Sequence, residues 1–123
     1  MKKLAVVLLV SFGAMSASAA NWVLIGTSIN NESYHYIDTE SISTQGKYMQ
    51  SYDKIISYAD GETAIGLVLY DCKTNPKKSK LTYIATYNLQ GKVISSGAVT
   101  WNSFEPALPE SFSELKANFV CSF

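Results

Sequence analysis

The chain has 123 residues, with ten lysines, no arginine, ten acids, one histidine and two cysteines. This length suits one domain. A formal net charge of zero at pH 7 leaves no basic face for phosphate contacts, which argues against nucleic acid as a partner.

Taken in chain order, Lys2 and Lys3 precede an unbroken apolar run over residues 4–10, extended past Ser11 to Met15. Ala17, Ser18 and Ala19 then form an A-x-A cleavage pattern. This predicts a signal peptide over residues 1–19, cut after Ala19 or Ala20, and a mature domain over 20–123. The run is shorter than the ~20 apolar residues of a membrane-spanning helix, and no later segment would span a membrane as one. No cysteine follows the cleavage site to take a lipid. The expected location is the periplasm, or the medium and cell surface.

Residues 22–29, WVLIGTSI, read as a β-branched strand, and Asn30, Asn31 and Glu32 as a turn. Residues 33–38, SYHYID, alternate as a second strand, with Tyr34 and Tyr36 on one face and His35 and Ile37 on the other. Residues 39–43 suit one helical turn. A long strand is expected over 47–58, with a bulge where Ile55 and Ile56 break alternation. Asp60-Gly61 signals a hairpin into residues 65–72, IGLVLYDC, the most apolar stretch after the leader. Both its faces are apolar, which predicts a central strand covered on both sides.

After Cys72 the polar stretch over 73–80 carries Lys73, Lys77, Lys78 and Lys80, a turn whose lysines could bind an anionic partner. Residues 81–87 alternate as a strand, 92–96 return, and 97–109 read as irregular. Ser111 and Glu114 form a capping box, and Phe112, Leu115 and Phe119 supply an apolar helical stripe. The fold class is α+β, mainly β: an antiparallel sheet of about six strands followed by one C-terminal helix.

Two cysteines in an exported chain are most simply one disulfide, Cys72 to Cys121. The alternatives are a reactive thiol or metal ligation, for which two cysteines and one distant histidine are too few to hold zinc. His35 lacks a nucleophile motif beside it, so it reads as a surface or structural residue, and the tyrosines with Trp22 and Trp101 read as core or as a recognition patch. No catalytic residue, metal site or cofactor motif stands out, and the chain is read as a non-enzyme. An edge strand could pair with a second copy, so a homodimer stays open.

Trp22-Val23 with a following glycine, Tyr36-Ile37-Asp38 with Glu40-Ser41-Ile42, Tyr70-Asp71-Cys72, and Pro109 and Ser111 ahead of Phe119-Val120-Cys121 occur in that order. The set resembles the surface-adhesin protein E family of Gram-negative bacteria. The resemblance implies an antiparallel sheet with its C-terminal helix attached by the Cys72–Cys121 bridge. It also implies adhesion to host extracellular-matrix or plasma proteins. The alternative is a periplasmic structural or accessory protein acting on another envelope protein.

Overall fold

A computed structural model of the protein describes residues 20–30, 32–100 and 103–123. The expected signal peptide over 1–19 and Trp101 lie outside them. Eight strands form one curled antiparallel sheet. They are β1 (Trp22–Thr27), β2 (Ser33–Asp38), β3 (Ser43–Gln45), β4 (Tyr48–Ser57), β5 (Glu62–Asp71), β6 (Lys78–Tyr87), β7 (Val93–Ala98) and β8 (Glu105–Pro106). The main path runs β1-β2-β4-β5-β6-β7, with β3 paired to β4 and β8 to β6. The helix α1 (Phe112–Val120) closes the chain.

Turn chemistry sets this order. Residues 39–41 make a single 3-10 turn, whose first free amide, at Glu40, is capped by Asp38 Oδ1 at 3.0 Å. The tight hairpins before β4 and β5 and after β6 turn on Gly46, Gly61 and Gly91, all at positive φ, where a Cβ would be strained. β4 pairs without interruption to both β2 and β5, so the bulge expected at Ile55 and Ile56 is absent. Register shifts fall elsewhere: between Leu24 and Gly26 in β1, opposite the Leu67–Val68 step in β6, and near Tyr87.

The polar stretch after Cys72 is shorter than expected, because Lys78 already pairs with Asp71 and Ser79 with Tyr70. Strand alternation lets Lys78 and Lys80 join the ladder while their heads stay on the solvent side. Likewise, the stretch over 97–109 contains the last residues of β7 and the two-residue β8.

The β5 strand is central, but it is covered on one face only. Gly66, Val68 and Tyr70 point to the concave side, under α1. Ile65, Leu67 and Leu69 point to the other side. Among the described residues no helix or second sheet lies on that face. These three stay half-buried because large side chains on neighbouring strands shield them.

The core is Ile37, Tyr70, Ala117 and Val120, with Ile25, Ile42, Met49, Val68, Phe119 and both cysteines packed around it. Complete burial of Ile37 and Val120 contributes about 1.5–3 kcal/mol each. The buried stripe of the helix therefore differs from the expected one. Ala117 and Val120 are buried, whereas Leu115 is 49% exposed. Small Ala117 lets the helix sit close over Ile37 and Tyr70, which rolls Leu115 toward β1. There, bare Gly26 makes room for the helix: a Cβ would lie 2.8 Å from the Phe112 ring.

The Ser111 hydroxyl caps the helix by accepting from the Glu114 amide at 3.2 Å. Glu114 reaches back one residue further than in a capping box, accepting from the Glu110 amide at 2.9 Å. At the other end Cys72, just after β5, and Cys121, at the helix C-cap, are joined by a disulfide with Cα atoms 5.6 Å apart.

Candidate functional site

The two faces of the sheet carry different chemistry. On the concave face, alternation along β4 brings Met49, Ser51, Asp53 and Ile55 inward. Asp53 is buried, and its carboxylate accepts from the Ser51 hydroxyl at 2.6 Å and, on its other oxygen, from the Tyr70 hydroxyl. Above it lies Lys116 of α1. A cavity of about 220 Å³ opens beside this cluster, walled by Ile55, Ala64, Val68, Leu81 and Ile84. Ser79, Ser113 and Lys116 complete its lining.

Burial raises the Asp53 pKa, and the hydrogen bonds from Ser51 and Tyr70, with the charge of Lys116, oppose that rise. Burial also lowers the Lys116 pKa, against the pull of Asp53. For both groups desolvation outweighs mutual attraction, so the pair sits in the cavity wall without gaining full ionic stabilisation. The phenol of Tyr70, desolvated beside a carboxylate, is held far above its ordinary value.

His35 is buried under the helix rather than at the surface. It is 8% exposed and stacks on Phe112 with ring centroids 3.9 Å apart. Its Nε2 lies 3.4 Å from the Ser33 hydroxyl, and its buried Nδ1 has no hydrogen-bond partner among the described residues. Burial, reinforced by the charge of Lys116, lowers its pKa to about 4.

The unfolded chain binds that proton near pH 6.5 and the native chain only near pH 4, so stability falls as pH drops through this window. The expected loss is on the order of 1–2 kcal/mol, discounted for solvent at the ring edge. The raised Asp53 pKa acts oppositely, favouring the native state as pH falls. His35→Phe keeps the stack on Phe112 and isolates the histidine contribution. Urea unfolding at pH 7 and pH 4.5 should show a smaller acid loss in the variant, and equal losses would refute this assignment.

The opposite face is open and aromatic. Register places Leu24, Tyr36, Lys54, Ile65 and Ala85 in one cross-strand row. Tyr52, Leu67 and Tyr83 form a second, and Tyr34, Ile56, Thr63 and Tyr87 a third. The Lys54 ammonium lies 4.4 Å from the Trp22 ring centroid and 5.2 Å from that of Tyr36, a geometry that favours cation–π attraction. Tyr34 meets Tyr58 edge to face at 5.0 Å. Tyr52, Tyr58 and Tyr83 are 44%, 60% and 42% exposed. The tyrosines of β2, β4 and β6 thus form a surface rather than a second core.

The four candidate lysines do not form one cluster. Lys78 and Lys80 share the open face, where the Lys80 ammonium lies 5.8 Å from the Phe104 ring centroid. Lys73 is exposed in the turn after β5, its amide donating to Asp71 Oδ1 at 3.1 Å. Lys77 lies on the other side, lining a small cleft with Glu114 and Asn118. The Asp53, Tyr70 and Lys116 cluster did not stand out as a site. Its signal was the parity that puts Asp53 on the face of Ser51 and Ile55, and the small Ala117 and Val120 that set the inner face of the helix.

Among the described residues no three His, Cys, Asp or Glu side chains are grouped to hold a metal, and no helix is long and apolar enough to cross a membrane.

A disulfide-tied antiparallel sheet, with one face closed by a helix and the other open and aromatic, defines a small single-sheet domain built to present a surface. The chain belongs to the surface-adhesin protein E family, whose model matches residues 22–122. Family membership marks it as a surface or exported protein. No curated protein and no solved structure matches it.

Proposed function

We propose that the protein is a non-enzymatic adhesin. Exported by the leader at residues 1–19, it binds a host extracellular-matrix or plasma protein through the open face of its sheet. The observation that supports this reading most is the row of exposed tyrosines across β4 and β6, flanked by Lys54 over Trp22. Tyrosine and tryptophan bring large, rigid contact areas with polar tips, and they dominate the energetics of protein interfaces. Lys78 and Lys80 border the same face and would steer an acidic partner. Lys73 and Lys77 lie off it, and their part in binding would be limited to long-range attraction.

The test is a binding screen of the protein against immobilised matrix and plasma proteins, repeated with Tyr52→Ser and Tyr83→Ser combined. Each tyrosine, as an interface anchor, contributes more than about 1 kcal/mol, so the pair should weaken binding at least tenfold in a variant that circular dichroism shows still folded. Lys78→Gln with Lys80→Gln should flatten the salt dependence. No saturable binding to any such protein would overturn the adhesin reading. Release by osmotic shock, with no protease access on intact cells, would instead assign a periplasmic accessory role.

A further inference from the structure

We propose that the cavity between α1 and the concave face of the sheet binds a small monocarboxylate with an apolar body, held by the Lys116 ammonium. This site is separate from the open face used for adhesion, since it lies on the other side of the sheet.

Three observations carry the proposal. The first is shape: about 220 Å³ opens between Ile55, Ala64, Val68, Leu81 and Ile84, and bare Gly66 lets Leu81 lie down against the floor, its Cδ1 2.6 Å from where a Cβ would stand. At ~30 Å³ for each water-sized volume, the cavity suits a ligand of about seven or eight heavy atoms. The second is the cation. Lys116 lies in the cavity wall, and among the described residues its ammonium makes no hydrogen bond or ion pair. A half-buried lysine with no bonded acceptor favours a ligand that brings one.

The third concerns the neighbouring carboxylate. Asp53 would repel an anion if both its oxygens faced the cavity free. Instead, one accepts from Ser51 and the other from Tyr70, which spreads its charge into the sheet and leaves the ammonium as the available ion. The hydroxyls of Ser79 and Ser113 also line the cavity and can donate to a second carboxylate oxygen. An apolar body with one acidic head matches this lining, whereas a cationic ligand would meet Lys116 directly.

The experiment is an NMR titration of the isotope-labelled protein at pH 7 with hexanoate, hexanol and hexylamine. Hexanoate should bind saturably, shifting amides of Val68, Leu81, Ser113 and Lys116. Hexanol should bind at least tenfold more weakly, and hexylamine should not bind. Lys116→Met, which keeps length and removes charge, should abolish the preference for hexanoate over hexanol. Ala64→Phe fills the cavity from the sheet side and should block both ligands with the helix resonances in place. Absent saturation by hexanoate, equal affinity for hexanol, or shifts confined to Tyr52 and Tyr83 would each overturn the proposal. The contrast among the three ligands on the unaltered protein decides the matter even if one variant fails to fold.

Discussion

Replacing Cys72 and Cys121 together by Ala is expected to lower stability by about 2–5 kcal/mol, the usual loss for a small secreted domain. The bridge spans 49 residues, and chain-entropy arguments assign such a loop ~4 kcal/mol. That is a large share of the ~5–15 kcal/mol that holds a small domain together. The loss should be felt unevenly. With nine residues, α1 is too short to persist alone in water. Only Ala117 and Val120 of it are buried, and Cys121 lies near the chain end, where frayed backbone is the norm. Without the bridge the helix should lift before the sheet melts. Hydrogen exchange on the double variant should show amides over residues 115–120 losing protection, while those of β4 and β5 keep theirs. Unchanged protection over 115–120, or two titratable thiols in the unreduced protein, would refute this account.

The architecture was legible wherever local chemistry and pattern agreed. β2 falls on residues 33–38 as its alternation predicts, and the capped helix begins at Phe112 behind Ser111. The central place of β5 followed from its apolar run and its turn at Asp60-Gly61. What the pattern could not convey was layering. Apolar residues on both faces of β5 imply two covers, yet one face is shielded only by side chains of the flanking strands, Tyr52 and Tyr83 beside Leu67, Lys54 beside Ile65 and Lys80 beside Leu69. Aromatic rings can protect a sheet laterally, and periodicity does not distinguish that from a second layer. The helix shows the same limit from the other direction. Phe112, Leu115 and Phe119 outrank Ala117 in hydrophobicity, but close approach to Ile37 and Tyr70 selects the smaller side chain. Once Ala117 and Val120 define the inner face, Lys116 is carried inward with them, over Asp53. The cluster thus depends on a helix rotation that packing determines, and no local motif announces it.

Tyr70 tests that buried cluster most directly. Among the described residues it is the largest side chain to be fully enclosed, and its hydroxyl completes the bonding of Asp53. Tyr70→Ala should cost about 3–5 kcal/mol, as for other large aromatic truncations in a core. Tyr70→Phe separates the two contributions, because the ring and its packing on Val120 and Ile37 remain. It leaves one oxygen of a buried carboxylate without its donor, which costs about 1–3 kcal/mol. The pH dependence then identifies the cause. Removing a donor to the charged form raises the Asp53 pKa beyond its already elevated native value. The variant's deficit should therefore be largest at neutral pH and shrink as pH falls through that raised pKa, where the carboxyl becomes neutral. Asp53→Asn should remove most of this dependence, and in the double variant Tyr70→Phe should cost less than in the wild type. Chemical unfolding of the four proteins at pH 7 and pH 5 measures all of these quantities. Additive losses with no pH dependence would mean that Tyr70 serves only as packing and that the hydroxyl's bond to Asp53 is energetically neutral.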